Sequence, residues 1–238
     1  GIDISALDFF RPSFFADGDT VDPFSPTPGV FGTLVPANQT ADIRTVAVFA
    51  EDYFAVRSNL KLAASVRAEG ISLDRRLFTT SGVLNPGPSF DRDFTPVTGK
   101  VGVVYDVRPS ASLYAHVASA ADPVNTNLFI VRSGEDFDLA RGVQVEAGVK
   151  QTLPRGRGEW TASVYRIERK DILTQTSLTT ADAVGQQSSS GIEATLVLRP
   201  RPRWTLQTNV AFVRARFDQF DERVGNQLVS RAGNRPLN

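Results

Sequence analysis

From residue 41 onward, apolar and polar side chains alternate with period two, and the alternating segments are separated by intervals that are short and long in turn. Period two marks a strand whose two faces meet different surroundings. Leu60, Leu62, Ala64, Val66 and Ala68 fall on one side, and Lys61, Ala63, Ser65, Arg67 and Glu69 on the other. Trp204, Leu206, Thr208, Val210 and Phe212 oppose Thr205, Gln207, Asn209 and Ala211; Val143, Val145, Ala147 and Val149 oppose Gln144, Glu146, Gly148 and Lys150. The pattern predicts eight strands, at about 41–56, 60–73, 94–107, 111–119, 141–153, 159–171, 188–198 and 204–216. The intervals between them are 3, 20, 3, 21, 5, 16 and 5 residues, followed by a tail of 22. Connections in a soluble domain are mostly short, without such a rhythm. A sheet that crosses an outer membrane has short turns on one side and long loops on the other. The short intervals also carry turn residues: Arg57-Ser58-Asn59, Arg108-Pro109-Ser110, Pro154-Arg155-Gly156-Arg157-Gly158 and Arg199-Pro200-Arg201-Pro202-Arg203.

Composition is compatible with this and removes other classes. The chain has 26 basic and 26 acidic residues and a formal net charge of zero, which is no signature of a nucleic-acid partner. Cysteine is absent and His116 is the only histidine, so no thiolate or His-based metal site can be assembled. No apolar run approaches the length of a transmembrane helix, but a barrel shows lipid only every second residue. The chain opens at Gly1 with no signal peptide, which leads us to expect that the N-terminal part of an exported protein lies elsewhere. Residues 1–40 and 74–93 are rich in Pro and Gly and read as irregular. No nucleophile motif, Gly-rich phosphate loop or paired catalytic acid is evident, so no catalytic residue is expected.

Three groups of side chains are candidates for function. Tyr53, Tyr105, Trp160 and Trp204 all lie next to short turns and are expected to form an aromatic girdle at one water–lipid boundary. Arg67, Glu69, Tyr114, His116 and Gln144 fall on the polar face and are candidate ligand contacts, His116 reading more simply as a hydrogen-bonded wall residue. Glu146, Lys150 and Glu193 are on the same face and are candidate contacts to a polar plug. Charge pointing consistently to the inside requires a wet or polar interior. The acidic stretches 135–138 and 217–222 lack the spacing of a calcium loop and read as solvated loop charge.

Phe94-Thr95-Pro96 followed by Val101-Gly102-Val103-Val104-Tyr105 and Ser112-Leu113-Tyr114-Ala115 resembles a stretch of TonB-dependent siderophore receptors. Gln144-Val145-Glu146-Ala147-Gly148-Val149-Lys150, the strand 162–169, Gly185 to Glu193, and Asn234-Arg235-Pro236-Leu237-Asn238 are similar to successive pieces of the same family, in the same order. Two positions depart from it: Lys170-Asp171 stands where relatives often have Thr-Asn, and Leu139-Ala140-Arg141 where Asp-Pro-Glu is commoner. The resemblance implies an antiparallel transmembrane barrel of 22 strands closed by an N-terminal plug, of which this chain holds about eight strands without plug or final strands. It implies a Gram-negative outer-membrane receptor that takes up ferric siderophores, driven by TonB–ExbB–ExbD, with no cofactor of its own. An eight-stranded membrane anchor or adhesin, and a soluble carbohydrate-binding β-sandwich, remain open as alternatives. As part of a wide barrel, strands 41–56 and 204–216 would be the unpaired edges.

Overall fold

In a computed structural model the described residues are 1–12, 37–79, 82–122, 131, 137–177, 180–201, 203–224 and 227–236. They form one antiparallel sheet of ten strands and a separate two-stranded hairpin. The strands are β1 (Ile2–Pro12), β2 (Ala37–Arg57), β3 (Leu60–Phe78), β4 (Leu84–Phe94), β5 (Val97–Arg108), β6 (Ala111–Asp122), β7 (Ala140–Thr152), β8 (Gly158–Ser177), β9 (Thr180–Arg201), β10 (Trp204–Gln219), β11 (Asp221–Val224) and β12 (Gln227–Ser230). Along the sheet each strand pairs with its neighbour in sequence, except that β3 is shared: its lower half pairs β5 and its upper half β4. The single helical element among the described residues is a 3-10 turn at Pro154–Gly156, and none is long or apolar enough to cross a membrane, which says nothing about crossing by strands.

The four short connections lie side by side along one end. Asp106 N–H donates to the Asn59 carbonyl, Thr152 N–H to Ser110, and Arg199 N–H to Arg157, so each turn is tied to the next. The longer connections therefore leave from the opposite end, as the interval rhythm predicts. Glycine at positive φ closes the 154–158 turn (Gly156, φ 67°; Gly158, φ 145°).

The strands are longer and more numerous at the loop end than the alternation indicates. β1 occupies part of the first 40 residues, which the sequence reading leaves irregular; Ile2 and Ile4 lie opposite Val48 and Val46. The prolines that dominate that reading, Pro23, Pro26, Pro28 and Pro36, lie outside the described residues. The expected loop 74–93 is largely a hairpin made by the top of β3 and β4, and the expected strand 94–107 is β5, which starts at Val97 because Thr95-Pro96 separates it from the last residue of β4, Phe94. Pro86 and Pro88 are tolerated because β4 pairs on one side only. The expected loop 172–187 is mostly the extended hairpin β8–β9, after a bulge between Arg169 and Ile172 where Asp171 has φ 56°. That backbone suits Asn or Asp, which explains the residue at this position. The expected edge strand 41–56 is internal: the edges are β1 and β10, and they do not pair with each other.

The register decides which face each side chain takes. One row of directly opposed residues crosses eight strands: Phe54, Leu62, Val103, Ala115, Ala147, Val164, Ile192 and Phe212. The neighbouring row, on the opposite face, reads Tyr53, Ala63, Gly102, His116, Glu146, Tyr165, Gly191 and Val213. The apolar face is the open one. Along β7, Val143 and Val145 are 49% and 51% exposed, while Gln144 and Glu146 between them are half-buried. Among the described residues no second layer covers the apolar side. This inverts a soluble sandwich, where the Val and Leu rows would be sealed against another sheet.

Candidate functional site

The polar face carries one connected group at mid-height. The Tyr114 hydroxyl donates to Glu146 Oε1 at 2.8 Å, and Gln144 Nε2 donates to Glu146 Oε2 at 2.9 Å. His116 lies directly opposite Glu146 across the β6–β7 ladder, and its ring is parallel to that of Tyr114 with centroids 6.5 Å apart. Two glycines make room for the aromatic rings. A Cβ on Gly148 would sit 2.6 Å from Tyr114 Cζ, and one on Gly191 would sit 2.6 Å from Tyr165 Cζ. Each Tyr is the direct cross-strand partner of its glycine, so the rings lie flat across the sheet. Beside them a recess is lined by Glu51, Tyr53, Ser65, Lys100, Tyr114 and His116.

The other sequence candidates share this face but not this cluster. Arg67 pairs with Glu69 at 2.8 Å on β3 and lies over the Phe49 ring, 5.9 Å from its centroid. Lys150 is near the turn end, 3.4 Å from Glu159, and Glu193 lies opposite Ser163 on β9. The aromatic group divides. Tyr105, Trp160 and Trp204 lie on the apolar face next to the turns, opposite Leu113, Leu196 and Arg201. Tyr53 does not belong with them: it faces the polar side, and its hydroxyl donates to Glu51 at 2.8 Å. Position along the strand places all four at one end, but parity relative to the neighbouring strand separates Tyr53 from the rest.

A second feature has no counterpart among the sequence candidates. Above the polar network, at the loop end of the same face, Ala41, Ile43, Ile71, Leu73, Phe94, Val131, Phe137, Leu139 and Leu173 form the buried core. Two arginines hold Val131 and Phe137, the described residues between β6 and β7 that face β3 and β4. Arg75, 3% exposed, donates to the Val131 carbonyl at 2.6 Å and lies over Phe90; Arg92 donates to the Phe137 carbonyl at 3.0 Å and lies over the Phe137 ring. Phe137 packs edge-on against Phe90 with centroids 6.0 Å apart. Arg75 lies beyond the apolar band, and burial lowers its guanidinium from the ordinary value. The available signal was the alternation Phe90-Asp91-Arg92-Asp93-Phe94 inside a segment set aside as loop. Among the described residues no group of three or more His, Asp or Glu converges as metal ligands.

A sheet with short turns at one end, an exposed apolar face and a polar inner face is the wall of a membrane barrel. The model of the family described as TonB dependent receptor-like, beta-barrel matches residues 3–235. The chain belongs to that family. Its members are outer-membrane receptors and transporters of Gram-negative bacteria. The chain is 24% identical over 212 residues to the ferric-pyoverdine 358 receptor of Pseudomonas putida, covering 86% of this chain and 25% of that protein. It is 29% identical over 104 residues to the ferrioxamine B receptor of Salmonella typhimurium, covering 43% of this chain and 14% of that one. The metal-pseudopaline receptor CntO of Pseudomonas aeruginosa is 32% identical over 77 residues, which is 32% of this chain and 10% of that protein. The TonB-dependent barrel thus spans a quarter or less of the curated relatives it matches. Among solved structures it resembles the siderophore receptor PiuA of Acinetobacter baumannii, with a TM-score of 0.72 and 17% identity over 84% of this chain and 30% of that one. The ferric-catecholate import receptor Fiu of E. coli K12 gives 0.72 and 16% over 91% and 34%. These likenesses place the fold: a many-stranded antiparallel sheet that is one sector of such a barrel and is not itself closed.

Proposed function

We propose that this chain forms part of the barrel wall of a receptor that takes up ferric siderophores across the outer membrane, energised by the inner-membrane TonB complex. The observation that carries the reading is the inversion of the sheet, with Val and Leu rows open on one side and the Tyr114–Glu146–Gln144 network on the other. The relatives named for ferric pyoverdine and ferrioxamine B support iron chelates as the cargo class. In this reading Arg67, Glu69, Tyr114, His116 and Gln144 are ligand-side contacts, and Glu146, Lys150 and Glu193 meet a plug domain. Glu146 is well suited to the second role, since both its oxygens are already held by donors and its position is thereby set. The TonB complex, the plug and the remaining barrel strands are the partners this assigns.

The test is uptake of radioactive iron as a panel of ferric siderophores, hydroxamate and catecholate, by cells lacking their own receptors and expressing the full-length protein. The expected result is uptake of at least one chelate that stops when TonB is deleted. Uptake of none, or uptake independent of TonB, would overturn the reading. The alternative of a small closed anchor barrel is disfavoured by the sheet, whose edge strands β1 and β10 are not paired to each other.

A further inference from the structure

On the polar face the wall is not of even depth. At the levels of Ala63 and Ser65 the inward residues of β3 and β5 are Ala63, Ser65, Gly102 and Lys100, three of them small. At the same two levels β7 and β8 carry Glu146, Tyr165, Gln144 and Ile167, all large. The recess beside Tyr114 therefore continues upward past Ser65 and Lys100 into a second one, bordered by Phe49, Arg67 and Thr98. Together they make a trough. From the level of Val104 to that of Thr98 it runs about 20 Å, and from β2 to β6 it is about 14 Å wide. Rings stand on both banks, Phe49 and Tyr53 on β2 and Tyr114 and His116 on β6. The charges in it cancel. Arg67 is held by Glu69 at 2.8 Å. Glu51 and Lys100 lie on either side of Ser65 in one row, and among the described residues neither is in an ion pair. The residues assigned to the plug, Glu146, Lys150 and Glu193, stand on the other flank, on β7 and β9. The loop-end core lies directly above the trough on β2 and β3, through Ile43, Ile71 and Leu73, so the trough is entered from the lumen.

Resting on the uptake reading above, we propose that this trough is the sector of wall along which the ferric chelate passes the plug, and that it takes a chelate of zero net charge, of the trihydroxamate class. A passage needs clearance and contacts weak enough to be left again. The small floor gives the clearance on the flank away from the plug-side carboxylates. The ring faces and the Ser65 hydroxyl give the weak contacts, while the Tyr53 hydroxyl is already donated to Glu51 at 2.8 Å. Three hydroxamate monoanions cancel the charge of a ferric ion, so such a chelate meets a trough of matching neutrality. A tris-catecholate trianion would meet Glu51 there and Glu146 beside His116, with Lys100 alone to offset them.

The probe is radioactive iron as an uncharged trihydroxamate chelate, given to cells that lack their own receptors and express the full-length protein. Binding is read on energy-depleted cells and uptake on energised ones. The native protein is expected to import this chelate faster than a trianionic tris-catecholate. S65W, which fills the trough, is expected to keep native binding and to lose most of its uptake. V66F, on the lipid side of the same strand, is expected to keep both. A second route avoids folding around a large side chain: S65C is folded first and then capped with thiol reagents of increasing size, this chain having no cysteine of its own. Uptake is expected to fall with reagent size while binding holds. Native uptake by S65W and by the capped S65C would overturn the proposal, since the chelate would then pass elsewhere. Loss of binding together with uptake would overturn it in favour of a seat for the plug. Failure of S65C to react during import would also overturn it, because the trough would then be closed to the lumen. Import of charged chelates only would overturn the cargo class, and import of none would overturn the uptake reading itself. Heat-modifiable gel migration shows which variants are folded.

Discussion

At the scale of single residues, the most exacting positions are glycines. Gly148 and Gly191 have no freedom to accept a side chain, because Tyr114 and Tyr165 lie where the Cβ would be and a backbone carbonyl closes the other side at 2.7 and 2.8 Å. Gly148→Val is expected to push the Tyr114 ring away and break its bond to Glu146, with an overpacking cost of about 1–3 kcal/mol. Denaturant titration of the full-length protein folded into bilayers would show this as a lower midpoint; an unchanged midpoint would mean the ring has another place to go. On the other face, depth decides the cost of charge. Leu206 is two residues from Trp204 and lies opposite Leu198, close to the turn-side boundary, whereas Val210 lies opposite Ala194, well inside the band. Val210→Arg is therefore expected to cost about 2–4 kcal/mol and Leu206→Arg no more than about 1 kcal/mol in the same titration. Equal costs would contradict the depth assigned here.

Among the elements, the top of β3, β4 and the residues Val131, Phe137 and Leu139 form a small soluble-style core on top of a membrane sheet. Their packing is ordinary: Phe137 against Phe90 and Phe94, covered by Arg92 and tied through Arg75 to the Val131 carbonyl. Phe137→Ala removes the central ring, and core Phe→Ala substitutions cost about 3–5 kcal/mol. The effect should stay local, because the ladder of β7 below Ala140 is held independently by β6 and β8. Hydrogen exchange is the readout: amides of Leu139 and Arg92 should lose protection while those of Val145 and Ala147 keep it. Loss of protection along all of β7 would show that the cap and the membrane sheet form one cooperative unit.

For the molecule as a whole, the open sheet sets the behaviour of the 238-residue chain by itself. β1 and β10 each present a ladder edge, and the exposed Val and Leu rows have no cover among the described residues. Unpaired backbone groups in hydrocarbon cost several kcal/mol each, and in water such an edge recruits other chains. The chain alone is expected to elute as aggregates or as mixed oligomers, with no heat-modifiable monomer band. A monodisperse, detergent-resistant monomer from these residues alone would show that β1 and β10 can close on each other.

What the sequence determined by itself is the repeat of the sheet: strand, short turn, strand, long connection. Period-two alternation and turn residues are local properties, so Leu60–Ala68, Val143–Val149 and Trp204–Phe212 are legible without neighbours. Alternation also divides each strand into two faces, and it brings Gln144, Glu146 and Lys150 onto one of them. What it cannot decide is which face is sealed, because Val rows outside a barrel and Val rows inside a sandwich are written the same way. Only the tertiary structure shows the apolar face open. Pairing between strands is likewise non-local. It turned Tyr53 to the polar side, joined Tyr114 to Glu146 from 32 residues away, and placed Arg166 level with Arg214 on the membrane side. The loop-end strands β1 and β4 escaped the sequence for the same reason: each is held by a partner strand already in place, and neither needed a strong propensity of its own.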